Sequence, residues 1–104
     1  MFEKEKRFSF KQGLPKKVIT SPYFTLRFGL AKGEMGTNAV VVSKKVSKKA
    51  VIRNRIKRKV VSSLKETQDE KLDKYDLVFY IKPQIIEAHE QQVDLAIQES
   101  IRKI

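Results

Sequence analysis

The chain has 104 residues, the size of one compact domain of ~100–150 residues, so we read residues 1–104 as a single domain with a modest core. It contains no cysteine and a single histidine, His89, which excludes disulfides, thiolate nucleophiles, Cys-based zinc sites and His-rich metal sites. Twenty-three Lys and Arg against twelve Asp and Glu give a net charge of +11, which points to a polyanionic partner.

That charge is unevenly spread. Residues 44–65 hold ten basic groups and no acid, whereas residues 66–104 hold five basic and nine acidic groups. A solvated surface helix normally mixes signs, so a one-sign block of this length reads as a docking surface. No apolar run approaches the ~18 residues of a membrane span, and the opening residues lack the apolar stretch of a signal peptide. No membrane contact and a cytoplasmic location are the corresponding expectations.

In chain order, the first sixteen residues are polar and basic, with Phe2, Phe8 and Phe10 among them. Gly13 and Pro15 end any helix that starts there, so the opening helix is short. Lys17–Thr20 carries β-branched Val18 and Ile19 and reads as a short edge strand, followed by a Ser21-Pro22 turn. Tyr23–Leu30 alternates, with Phe24, Leu26, Phe28 and Leu30 on one face and Tyr23, Thr25 and Arg27 on the other. One face of this strand is therefore buried and the other open to solvent or a ligand.

Residues 31–38, with Gly33, Gly36 and Asn38, read as the loop of a hairpin, and a β-branched strand follows from Asn38. That strand turns basic at Ser43-Lys44-Lys45. Ser47 stands at an N-cap position, and a helix is expected from Lys48, with Ile52, Ile56, Val60 and Leu64 as its packing stripe. Glu66–Lys74 is charged and reads as the helix end plus a loop, and the carboxylates Asp69, Glu70, Asp73 and Asp76 are read as a solvated loop cluster without the burial that acid–base work needs. Tyr75–Lys82 is a second strong strand, with Leu77, Phe79 and Ile81 on one face, stopped by Pro83. Val93, Ile97, Ile101 and Ile104 then recur at helical spacing. The order is αβββαβα, an α+β fold of one sheet with helices.

The central helix carries the chemistry. Lys48, Lys49, Arg53, Arg55, Lys57, Arg58 and Lys59 crowd its first turns. With Ile52, Ile56 and Val60 facing the sheet, Arg55 and Arg58 project from one flank and Arg53 and Lys57 from the other. Asn54 lies nearly opposite the stripe. Arginine presents a planar fork that suits phosphate oxygens, and lysine adds point charge. Like-charged neighbours three and four residues apart repel, a cost that bound phosphates relieve.

On the open strand face, Tyr23 offers a ring for an unpaired base, Thr25 a hydroxyl and Arg27 a phosphate contact. The same residues equally serve to cover the sheet, and both readings stand open. Phe8 and Phe10 are read first as core plugs, with a groove-lining role as the alternative. No residues for protein catalysis appear: the serines lack a histidine base, His89 reads as an exposed residue, and there is no glycine-rich phosphate loop. A DNA-binding helix-turn-helix is disfavoured because no partner helix precedes the basic one.

The run Val42-Ser43-Lys44-Lys45-Val46, followed by Lys48-Lys49-Ala50-Val51 and Arg53-Asn54-Arg55-Ile56-Lys57-Arg58, resembles the signature of the bacterial ribonuclease P protein component. Ser21–Phe28 resembles the early strand of that family, and Lys82-Pro83 fits the end of its late strand. The resemblance implies a single four-stranded sheet with three helices and a left-handed crossover through the basic helix. It implies a non-catalytic protein subunit of a ribonucleoprotein endoribonuclease that removes the 5′ leader of precursor tRNA. Its partners are then the catalytic RNA and precursor tRNA, with Mg2+ supplied through the RNA and no DNA.

By the same resemblance Arg53, Asn54, Arg55, Lys57 and Arg58 contact the RNA. Ser43, Lys44, Lys45, Lys48, Lys49 and Lys59 belong to the same basic surface. Phe10, Tyr23, Thr25 and Arg27 match the leader-binding cleft. The family often has an aromatic residue where this chain has Arg27, so leader stacking is expected to be weaker and more electrostatic. A ribosomal or general RNA-binding protein without a role in leader cleavage is the alternative reading.

Overall fold

The computed structural model describes residues 15–67 and 69–104. The expected opening helix, with Phe8 and Phe10, lies outside the described residues. Four strands form one mixed sheet: β1 (Lys17–Thr20), β2 (Phe24–Leu30), β3 (Asn38–Val41) and β4 (Tyr75–Ile81). The basic block becomes α1 (Ala50–Thr67), a single turn forms α2 (Lys71–Lys74), and the chain ends in α3 (Glu90–Arg102).

The spatial order is β1-β2-β4-β3, with β1–β2 and β2–β4 antiparallel and β3–β4 parallel. The hairpin expected at residues 31–38 is therefore not formed, because β4 inserts between β2 and β3. The loop instead crosses the start of β4 and is fastened there. Ala31 and Gly36 donate backbone N–H groups to the Lys74 and Asp73 carbonyls at 2.9 and 2.6 Å, and the Thr37 carbonyl accepts from Leu77 N–H at 2.9 Å.

Asp76 is part of this fastening, which corrects its expected place in a solvated loop. It is 4% exposed within β4, and its carboxylate accepts from the Thr37 N–H at 3.0 Å and the Thr37 hydroxyl at 2.8 Å. Gly36 is buried where a Cβ would collide with the carbonyls of Leu72 and Tyr75, so only glycine fits.

The alternation read in β2 and β4 sets the two faces of the sheet. The register places Phe24, Leu26 and Phe28 opposite Ile81, Phe79 and Leu77, and all six are buried in the core. Phe24 and Phe79 meet edge to face at 5.2 Å. Val60 and Leu64 of α1 and Val93, Ile97 and Ile101 of α3 complete this core. Leu30 departs from the expected buried set and is 73% exposed at the last position of β2.

The packing stripe of α1 holds only in part. Val60 and Leu64 are fully buried and Ile56 packs against the core, but Ile52 is half-buried outside it and Val51 is 66% exposed. The first half of α1 thus extends beyond the body of the domain. Its start is also two residues later than Lys48: the Ser47 hydroxyl accepts from Lys49 N–H at 3.2 Å in a local turn, and regular helix follows.

Candidate RNA-binding surface

Two core anchors present the basic loop. Val42 and Val46 are buried, and between them Ser43, Lys44 and Lys45 bulge into solvent in a turn closed by Val46 N–H to Ser43 carbonyl at 3.1 Å. Burial of the two valines fixes where three polar residues project. Arg53 braces the next segment: its Nη1 donates to the Ser47 and Lys48 carbonyls, each at 3.0 Å. One side chain thereby joins the loop to the first turn of α1.

Lys48 and Lys49, just before α1, and Asn54, Arg55 and Arg58 on its first half are exposed, and Lys57 is half-buried. Lys44, Lys45, Lys48, Lys49, Arg53, Arg55, Lys57 and Arg58 have no acidic partner among the described residues. The first turn of α1 also has no acidic residue, so the positive end of the helix dipole adds to the side-chain charge. Cations displayed on both flanks of one helix and left without counter-charges among the described residues suit a phosphate backbone.

Lys59 is different. Its Nζ lies 3.1 Å from Asp94 Oδ1 and 4.0 Å from Glu90 Oε2, both on α3. It therefore stitches α1 to α3 rather than standing free with the other cations. A hydrogen bond from Ser63 and the nearby Lys59 ammonium hold the Asp94 carboxyl below the ordinary aspartate range, against an opposing push from burial.

The sheet face away from α1 and α3 is the second candidate surface. Strand alternation places Thr25 and Arg27 of β2 on it, together with Val18 of β1, Val41 of β3, and Val78 and Tyr80 of β4. Thr25, Arg27 and Tyr80 are half-buried. Arg27 Nη1 donates to the Pro15 carbonyl at 3.3 Å, which ties the start of the described chain across this face. Tyr23 shares the parity of Thr25 and Arg27 but precedes β2, and its ring packs against the core. Phe10 lies outside the described residues.

Three supporting residues escape a reading of the sequence. Lys82 Nζ donates to the Ser21 carbonyl at 2.7 Å and its N–H to the Tyr23 carbonyl at 2.9 Å, fixing the Ser21-Pro22 turn to the end of β4. Lys71 Nζ donates to the Ile101 and Arg102 carbonyls, both at 3.2 Å, and so caps the negative end of α3. His89 is exposed, as expected, but also opens α3: its N–H donates to Gln92 Oε1 at 2.9 Å. Only the last had a sequence signal, a polar side chain three residues into an apolar-periodic segment. The lysine contacts span 30 residues or more and have no local trace.

Comparisons with known proteins converge on one family. The family model described as Ribonuclease P matches residues 2–104. The RNase P protein from Thermotoga maritima superposes with a TM-score of 0.74 at 18% identity, covering 94% of this chain and 96% of that one. A Staphylococcus aureus RNase P protein mutant with defective mRNA degradation activity superposes at 0.79 and 17% identity, covering 95% and 87%. A further S. aureus RNase P protein structure gives 0.72 at 19% identity, covering 90% and 83%. No curated protein matches the chain by sequence.

Proposed function

Because the chain belongs to the ribonuclease P protein family, and so is a subunit of ribonuclease P in tRNA 5′ processing, we propose a division of labour between its two surfaces. The projecting half of α1, with the Ser43–Lys45 loop, docks on the catalytic RNA through Lys44, Lys45, Lys48, Lys49, Arg53, Asn54, Arg55, Lys57 and Arg58. The sheet face away from α1 and α3 holds the single-stranded 5′ leader of precursor tRNA at Thr25 and Arg27.

The observation that carries this reading is the set of cations on α1 that lack acidic partners among the described residues, while Lys59 one turn further on is neutralised by α3. Arginine forks position phosphates without reading sequence, which suits docking on a folded RNA. A subunit of this kind contributes binding and orientation rather than bond breaking. In this reading Mg2+ is held by the RNA partner. A general RNA-binding role without leader cleavage has the same surface chemistry but is not favoured by the family membership.

The test is a salt titration of binding to a bacterial ribonuclease P RNA. Each duplex phosphate neutralised contributes about −0.9 to the slope of log K against log salt. Arg55→Ala/Arg58→Ala is expected to weaken binding and to flatten the slope by about 0.9 for each phosphate no longer neutralised. Unchanged affinity and slope would place the RNA on another face.

A further inference from the structure

We propose that Tyr80 is the stacking platform for an unpaired base of the leader, supplying from β4 the ring that β2 lacks at Arg27. The inference deepens the leader-binding reading and rests on it.

Among the described residues, every other aromatic ring is committed to the core. Phe24 and Phe79 pack edge to face at 5.2 Å, Phe28 meets Tyr75 at 6.2 Å, and Tyr23 packs against the same cluster. Tyr80 alternates to the opposite face of β4 from Leu77, Phe79 and Ile81. Its ring makes no contact with another ring, and its hydroxyl makes no hydrogen bond, among the described residues. It is half-buried, whereas Val78, two residues before it on the same face of β4, is fully buried.

The surroundings suit a base. Register places Thr25 directly opposite Tyr80 on β2 and Val41 beside it on β3. Directly opposed cross-strand side chains lie ~4.5–5.5 Å apart at Cβ, within one base width. Thr25 supplies a hydroxyl that donates or accepts at a base edge, and Val41 an apolar flank. The other end of this face is occupied: Pro15 lies 3.5 Å from where a Cβ on Gly29 would stand, and its carbonyl takes a hydrogen bond from Arg27. The Arg27 guanidinium keeps further N–H groups for a phosphate next to the stacked base. Stacking on a tyrosine is tolerant of base identity, as a subunit serving many precursors requires.

The test uses the assembled particle of protein and ribonuclease P RNA, and compares affinity for precursor tRNA with that for the same tRNA lacking its leader. Wild type is expected to favour the leader-bearing substrate. Tyr80→Ala and Tyr80→Val are expected to reduce that preference about 5- to 150-fold, the range for removing a base–aromatic stack. Tyr80→Phe keeps it, and affinity for leaderless tRNA stays constant in all three. Tyr80→Val retains a strand-forming side chain and separates loss of the ring from damage to the sheet. An unchanged preference in both ring-less variants overturns the Tyr80 assignment and leaves the leader surface standing. A loss in Tyr80→Phe equal to that in Tyr80→Ala overturns stacking. A wild-type particle with no leader preference overturns the leader reading and this inference together.

Discussion

Lys59 and Arg55 stand one turn apart on α1, yet their surroundings give them opposite tasks. Lys59 is drawn to Asp94 and Glu90, while Arg55 is exposed and makes no ion pair among the described residues. Lys59→Ala should therefore lower the stability of the α1–α3 contact and leave the salt slope of RNA binding unchanged, whereas Arg55→Ala does the reverse. Thermal melting and a salt titration on both variants check this. Asp94 adds a pH dependence. Its folded carboxyl titrates below the unfolded value of about 3.9, so its contribution is fully present above that pH and is lost as pH falls through the lower folded value. Asp94→Asn is expected to be less stable than wild type at neutral pH. The difference should shrink on acidification below pH ~4 in thermal melts.

At the scale of elements, α1 is two half-helices in energetic terms. Leu64 is fully buried in the core, so Leu64→Ala should cost ~2–5 kcal/mol in denaturant unfolding. Ile52 lies outside the core cluster, and Ile52→Ala should cost less than about 1 kcal/mol, although both residues belong to one apolar stripe in the sequence. Four-residue spacing reveals which side of a helix is apolar but not how much of its length reaches the body of the domain.

The strands teach the same lesson. Alternation in Phe24–Leu30 and Tyr75–Ile81 identifies both strands and their buried faces, because that signal is local. It contains nothing about which strands are neighbours, so residues 31–38 resemble a hairpin loop and are in fact a bridge over the start of β4. Gly36 is the residue that permits the crossing. Gly36→Ala should destabilise the fold, measured as a lower melting temperature, since the carbonyls of Leu72 and Tyr75 would have to shift. The basic loop and the Arg53-Asn54-Arg55 run are legible for a different reason: charge on a projecting surface is decided by residue type, not by long-range packing. The internal pairing of Lys59 is hidden, because its partners lie 31 and 35 residues away.

Over the whole molecule, charge is divided between the parts. Residues 44–65 hold ten cations and no acid, and the nine acids of residues 66–104 sit largely in and around α2, β4 and α3. The sheet and α3 form the body, and the first half of α1 carries exposed cations that no acidic residue pairs among the described residues. An RNA docked there would neutralise the self-repulsion of the helix on the side of the sheet opposite to Thr25, Arg27 and Tyr80. The most direct measurement combines the protein with a bacterial ribonuclease P RNA at low Mg2+ and follows 5′-leader release from a precursor tRNA. The account predicts stimulation by the wild-type protein that Arg53→Ala/Arg55→Ala abolishes while the variant remains folded. No stimulation by wild type, or stimulation that the folded variant retains in full, would contradict it.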